Sequence, residues 1–173
     1  DYSLERGSDA LDTVEIPDEA EVVVVGALVP ILKRLKQRGK PYAVIEMDPR
    51  TLKQDELPFW VPVERTSEVV AKADLLVVTG TSILFHSLEP ILAAVKPGAQ
   101  VVVVGPTASM LPGAFFRRGV SVLGGDLVYC PDDLLDIISE GGSGYHFFGK
   151  SADRIIIRNP KSPRSFLHKQ LVK

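Results

Sequence analysis

The chain has 173 residues, 45% hydrophobic and 24% charged, which suits one globular domain and excludes disordered, collagen-like and coiled-coil chains. Twenty basic against 22 acidic residues leave a net charge of -2, so no global field draws in nucleic acid or an anionic membrane. The longest apolar run, 22–32, is interrupted by Gly26 and Pro30 and falls short of the ~20 residues that span a bilayer.

Cys130 has no second cysteine to pair with, and no basic-then-apolar leader precedes the first strand, so a cytoplasmic location is expected. Asp1 stands where a methionine would start a chain, and an upstream segment is expected to be missing.

Four valine-rich runs, 21–25, 42–45, 74–78 and 100–104, are short and continuous, as strands buried on both faces of a parallel sheet should be. Between the first two lies a helix that starts near Pro30, turns Ile31, Leu32 and Leu35 inward and stops at Gly39. The segment Val61-Pro62-Val63 reads as an edge strand, because proline is excluded from central ones. A second helix is expected over 66–72, and a third from Ser87 as N-cap through Val95, stopped by Pro97 and Gly98.

Further along come a Pro106-to-Pro112 loop, a short helix to Arg118, a strand at 120–123 and the pair Gly124-Gly125. Pro131 opens a helix with Asp132 and Asp133 in its first turn, and a last strand, 154–158, is expected at the edge of the sheet. The alternation predicts an α/β, Rossmann-like fold: an open, mainly parallel sheet with helices on both faces and right-handed crossovers. Strand order 3-2-1-4-5 then sets run 21–25 beside run 74–78, with the ligand cleft where their carboxyl ends flank the topological switch point.

Gly26 ends the first strand and Glu46 follows 20 residues later, at the spacing of a ribose-binding acid. Leu28 and Ile31 nevertheless stand where the dinucleotide fingerprint needs glycine, so standard NAD or FAD binding is disfavoured. A tight strand-to-helix turn is the plain alternative for Gly26, and a solvated loop the alternative for Glu46.

The connection Thr79-Gly80-Thr81-Ser82-Ile83-Leu84-Phe85-His86-Ser87 is longer than the usual ~2–6 residues and rich in hydroxyls. It offers amides, hydroxyls and one imidazole to an anionic ligand at a helix N-terminus; Ser87 could equally be a plain cap. Gly105 and Thr107 end the neighbouring strand, and Gly124 and Gly125 repeat the feature one strand later, either for close approach of a ligand or for a bend. The candidate ligand-binding set is therefore Gly26, Glu46, Thr79, Gly80, Thr81, Ser82, Ser87, Gly105, Thr107, Gly124 and Gly125. The candidate metal ligands are Glu46, His86 and Asp126, a mixed N/O set suited to a divalent ion. No local zinc spacing, nucleophile elbow or Walker motif is present, and whether a reaction is catalysed stays open.

Val-Val-Gly26, Glu46-x-x-Pro49, Ala73-Asp74 through Thr79-Gly80-Thr81-Ser82, Gly105-Pro106-Thr107, Arg118-Gly119-Val120, Gly124-Gly125 and Glu140-Gly141-Gly142 follow one another collinearly over residues 9–158. In this order they resemble the heavy-metal chelation domain family, a Rossmann-like group often preceded by an enolase-N-terminal-like domain. The resemblance implies that residues 1–12 are the remnant of a preceding domain, ahead of a Rossmann-like domain at 13–158 and a polar extension at 159–173. It also implies a pocket shared by the strand-end loops. Phe85-His86-Ser87 replaces the Asn-Gly-Thr run typical of the family, which changes both charge and metal affinity there.

Three functions follow as expectations: metal handling at the cleft, with a divalent ion held directly or within a small molecule; binding of an anionic metabolite by a Rossmann-like enzyme or sensor; or a non-catalytic partner subunit. A preceding domain, a partner chain or a homo-oligomer fits each of them.

Overall fold

The computed structural model describes residues 2–162, and residues 163–173 of the expected polar extension lie outside them. The chain runs β1 (Leu4–Arg6), α1 (Ala10–Thr13), β2 (Val22–Val25), α2 (Val29–Arg38), β3 (Ala43–Ile45), β4 (Trp60–Val61), α3 (Thr66–Val70), β5 (Leu75–Thr79) and α4 (Leu88–Ala93). It continues through β6 (Gln100–Val104), α5 (Gly113–Arg117), β7 (Val122–Val128), α6 (Pro131–Ser139), α7 (Gly144–Phe147) and β8 (Ala152–Arg158).

The eight strands form one sheet in the order β1-β8-β7-β6-β5-β2-β3-β4. From β4 through β7 every pairing is parallel, whereas β8 runs antiparallel to both β7 and β1. Read from β4, the first five strands have the expected 3-2-1-4-5 order, and β2 and β5 lie side by side at its centre.

Successive strand side chains point to opposite faces, and each face buries its own core. Val22, Val24, Val44, Leu75 and Val77 pack with Ile31, Leu32 and Leu35 of α2 and with Ala10 and Leu11 of α1. On the other face Val23, Ile45, Leu76 and Val78 meet Val70 of α3, Ile91 and Leu92 of α4 and Phe115 of α5. The fold is therefore the expected α/β sheet with helices on both faces. α2 stops where predicted, because Gly39 adopts φ 68 and its N–H bonds the Lys36 carbonyl.

Two local expectations are corrected. The final strand is not an edge strand: β1, only three residues long, pairs outside it in the register Glu5 to Ile156. Of residues 1–12, expected as the remnant of a preceding domain, β1 pairs with the sheet and Ala10 and Leu11 pack in its core at 3% and 4% exposure. The strand expected at 120–123 is β7, displaced to Val122–Val128, so Gly124 and Gly125 lie inside a strand and not in the loop after it. They pair with Ile156 and Ile155 of β8, which carries the ladder past the glycines.

Candidate functional site

β2 is paired with β3 and β5 so that Val25 faces Ile45 on one side and Val78 on the other, and the three carboxyl ends arrive level. The chain must then leave β2 without colliding with β5. Gly26 does this at φ 96, its N–H donating to the Ile45 carbonyl at 2.9 Å; a Cβ there would lie 2.8 Å from Thr79 Cγ2. Glycine at this position thus lets the turn before α2 lie flush against the end of β5.

Glu46 follows β3 and joins the two neighbouring strand ends. Its Oε2 accepts the Ala27 N–H at 2.9 Å, while Oε1 accepts the N–H groups of Met47 at 2.8 Å and Asp48 at 3.2 Å. The Trp60 indole donates to the Glu46 carbonyl at 2.9 Å, which ties the edge strand to the same point. Asp48 is engaged elsewhere: hydrogen bonds from the Arg50 guanidinium, and then from the Arg50 N–H, hold its carboxyl down to about 2.

After β5 the connection folds into a 3-10 turn at Gly80–Ile83. Thr79 Oγ1 lies 3.0 Å from Thr81 Oγ1, and Ser82 Oγ donates to the Thr79 carbonyl at 2.7 Å. Ser87 takes the N-cap position of α4 but makes no side-chain cap; its hydroxyl donates back to the Ser82 carbonyl at 3.3 Å. The chain reverses at His86, a non-glycine residue in left-handed backbone at φ 54.

Between these segments opens a cleft of about 570 Å³. Gly26, Glu46, Thr79, Thr81, Ser82 and Ser87 of the expected set all line it, at the switch point between β2 and β5. Sequence reasoning missed Leu28, Met47 and Phe85, and also Thr66 and Ser67 at the start of α3. The last two had a readable signal: β4 ends at the same edge of the sheet, so the helix after it must begin there too.

The remaining expected residues do not line this cleft. Gly80 is buried beneath it against Thr107 Oγ1 and Ala108, and Gly105 opens the 3-10 turn Pro106–Ala108 that carries those two residues. Gly124 and Gly125 admit the protein's own chain: a Cβ on Gly124 would strike Ala10 Cβ, and one on Gly125 would lie 2.6 Å from Ser109 Oγ.

The three expected metal ligands are dispersed. His86 lines a neighbouring cavity of about 360 Å³ with Glu89, Met110 and Arg118. Glu89 is already paired with the Arg118 guanidinium, at 2.8 Å to Oε1. Asp126, half-buried in β7, belongs with Arg154 and Asp9; burial pushes its carboxyl up, Arg154 opposes that and Asp9 adds to it. Because β3 and β7 are four positions apart in the sheet, Glu46 and Asp126 are separated by ~19 Å at about 4.8 Å per strand. Among the described residues no three His, Cys, Asp or Glu side chains converge on one point. Among the described residues the cleft itself presents one carboxylate, already accepting three N–H groups, and the Met47 thioether. Its side chains do not fit direct coordination of a heavy-metal ion, which draws on several soft or imidazole donors.

The chain matches, over residues 9–157, the family described as "Putative heavy-metal chelation". It is 26% identical over 148 residues to an uncharacterised protein of Methanocaldococcus jannaschii, covering 84% of this chain and 56% of that one. Two solved structures of unknown function from the same family share its fold. That from Pyrococcus horikoshii superposes with a TM-score of 0.68 at 19% identity, over 88% of this chain and 59% of the other. That from Desulfitobacterium hafniense gives 0.66 at 18% identity, over 86% and 55%. The chain thus spans somewhat over half the length of these relatives.

Proposed function

Because the chain belongs to the heavy-metal chelation family, we propose that it is a metal-handling protein that works by binding a small organic ligand in the cleft between β2 and β5. The observation that carries this reading is the composition of the cleft. Hydroxyls from the β5 connection and from α3 meet one apolar wall made of Leu28, Val63, Phe85 and Ile91. A volume of about 570 Å³ lies within the ~300–1,000 Å³ typical of small-molecule sites. The hydroxyls of Ser67 and of the Thr79–Thr81 pair suit a ligand bearing acceptor oxygens, those of Thr66, Ser82 and Ser87 being spent on backbone carbonyls, and the wall suits a ring or alkyl body.

A thermal-shift screen of carboxylated metabolites, nucleotides and S-adenosylmethionine tests the reading. A true ligand at a hundred times its Kd stabilises by ~2.7 kcal/mol. That raises Tm by roughly 5–10 °C in a domain of this size. Thr81→Trp places bulk on an exposed lining residue and should remove the shift without unfolding the protein. A screen without any shift, or a shift that survives in Thr81→Trp, overturns the reading.

The loops at this edge also favour a covered cleft. Met47 and Phe85, both of which line the cleft, are 64% and 63% exposed. A second copy closing over the mouth fits it, and light scattering of the purified chain reads that directly.

A further inference from the structure

We infer that the cleft takes metal only as an organic chelate, an ion already held by the oxygen or nitrogen atoms of a small ligand, and not as a free ion. The inference rests on the cleft being a ligand site and names what that ligand carries.

The protein's own donors are few and largely committed. An ionised carboxylate offers about four lone-pair positions. Glu46 spends three of them on the N–H groups of Ala27, Met47 and Asp48. The one position left, on Oε2, gives an ion a single bond, and a bidentate grip would strip at least one amide of its partner. Among the described residues Met47 is the one soft donor in the lining. His86, the imidazole that a direct site would recruit, lines the other cavity beyond Ser82, which is the residue common to both.

The shape agrees. An ion with six waters, at about 30 Å³ per water, fills roughly 200 Å³. The cleft is more than twice that, and its apolar wall would face such an ion without bonding it. An aromatic or branched chelator fits better. Its body lies against Leu28, Val63 and Phe85, and its metal-bound oxygens keep outward lone pairs for the Ser67 hydroxyl and for the one proton the Thr79–Thr81 pair leaves over, the Ser82 and Ser87 hydroxyls already donating to the Thr79 and Ser82 carbonyls. The chelator neutralises the ion before it arrives, so no buried protein charge is needed.

The experiment compares three probes by calorimetry and native mass spectrometry: nickel(II) alone, pyridine-2,6-dicarboxylate alone, and their 1:1 complex, with iron(III) citrate and citrate as a second set. At least one complex should bind ten-fold or more tightly than its metal-free chelator and appear as one protein, one metal and one chelator, and Thr81→Trp should abolish it. Glu46→Gln should leave any binding of nickel(II) alone unchanged. Saturable nickel(II) binding lost in Glu46→Gln would overturn the inference in favour of direct coordination. A metal-free chelator that binds as tightly as its complex would overturn it while leaving the organic-ligand reading intact. If neither complex binds, the inference also falls, and the metabolite screen decides the broader reading separately.

Discussion

Gly26 is where the cleft depends most sharply on one residue, and Gly26→Ala separates two costs that the structure specifies. The first is conformational: an L-residue forced to φ 96 costs ~1–3 kcal/mol. The second is steric: the new methyl would sit 2.8 Å from Thr79 Cγ2 and 3.1 Å from Thr79 Cβ. Overpacking of that kind costs ~1–3 kcal/mol. Together they predict a loss of about 3 kcal/mol, a fall in Tm of roughly 6–12 °C at ~2–4 °C per kcal/mol. Thr79→Ser deletes Cγ2 alone, so in the double variant about 1 kcal/mol of the steric cost should return while the conformational cost stays. Urea and thermal melts of the wild type, both single variants and the double variant complete the cycle. A Gly26→Ala loss below about 1 kcal/mol, or strict additivity with Thr79→Ser, would refute the close approach of the β2 turn to β5.

Gly124→Ala should cost about 2–3 kcal/mol through its clash with Ala10, and Ala10→Gly should recover at least half of it despite glycine's poor helix propensity; lost ligand binding at unchanged Tm would return Gly124 to the ligand site. Asp74 is held below its ordinary value of 3.8, first by the Lys96 ammonium and then by the Glu21 N–H, so its contribution is present above the unfolded carboxylate pKa and lost as pH falls through the lower folded one. With the side chain 38% exposed, solvent screening limits the pair to ~0.5 kcal/mol. Asp74→Asn should therefore lower Tm by only ~1–2 °C at neutral pH, with the difference fading below pH 4; a gap that widens on acidification would reverse the assigned sign.

Local pattern was enough for the centre of the sheet and the place of the cleft. The valine runs of β2, β3, β5 and β6 are continuous because both faces are covered, Pro30 and Gly39 punctuate α2, and the right-handed crossover rule then orders the strands and places Gly26, Glu46 and Thr79 at one edge. What depends on partners distant in sequence was not legible. β1 is three residues with no periodicity of its own, and exists by pairing with β8, some 150 residues away. Gly124 and Gly125 carry no mark that distinguishes a loop from a strand pressed against Ala10 and Ser109; only tertiary packing shows which segment approaches them. The dispersal of Glu46, His86 and Asp126 has the same origin. Sequence assigns each to a strand-end region, but the width of the sheet separates Glu46 from Asp126, and the left-handed turn at His86 accompanies its placement in the second cavity. Composition could nominate the three as metal ligands, whereas convergence is a property of distances, which follow from the order of strands and the dihedral angles between them.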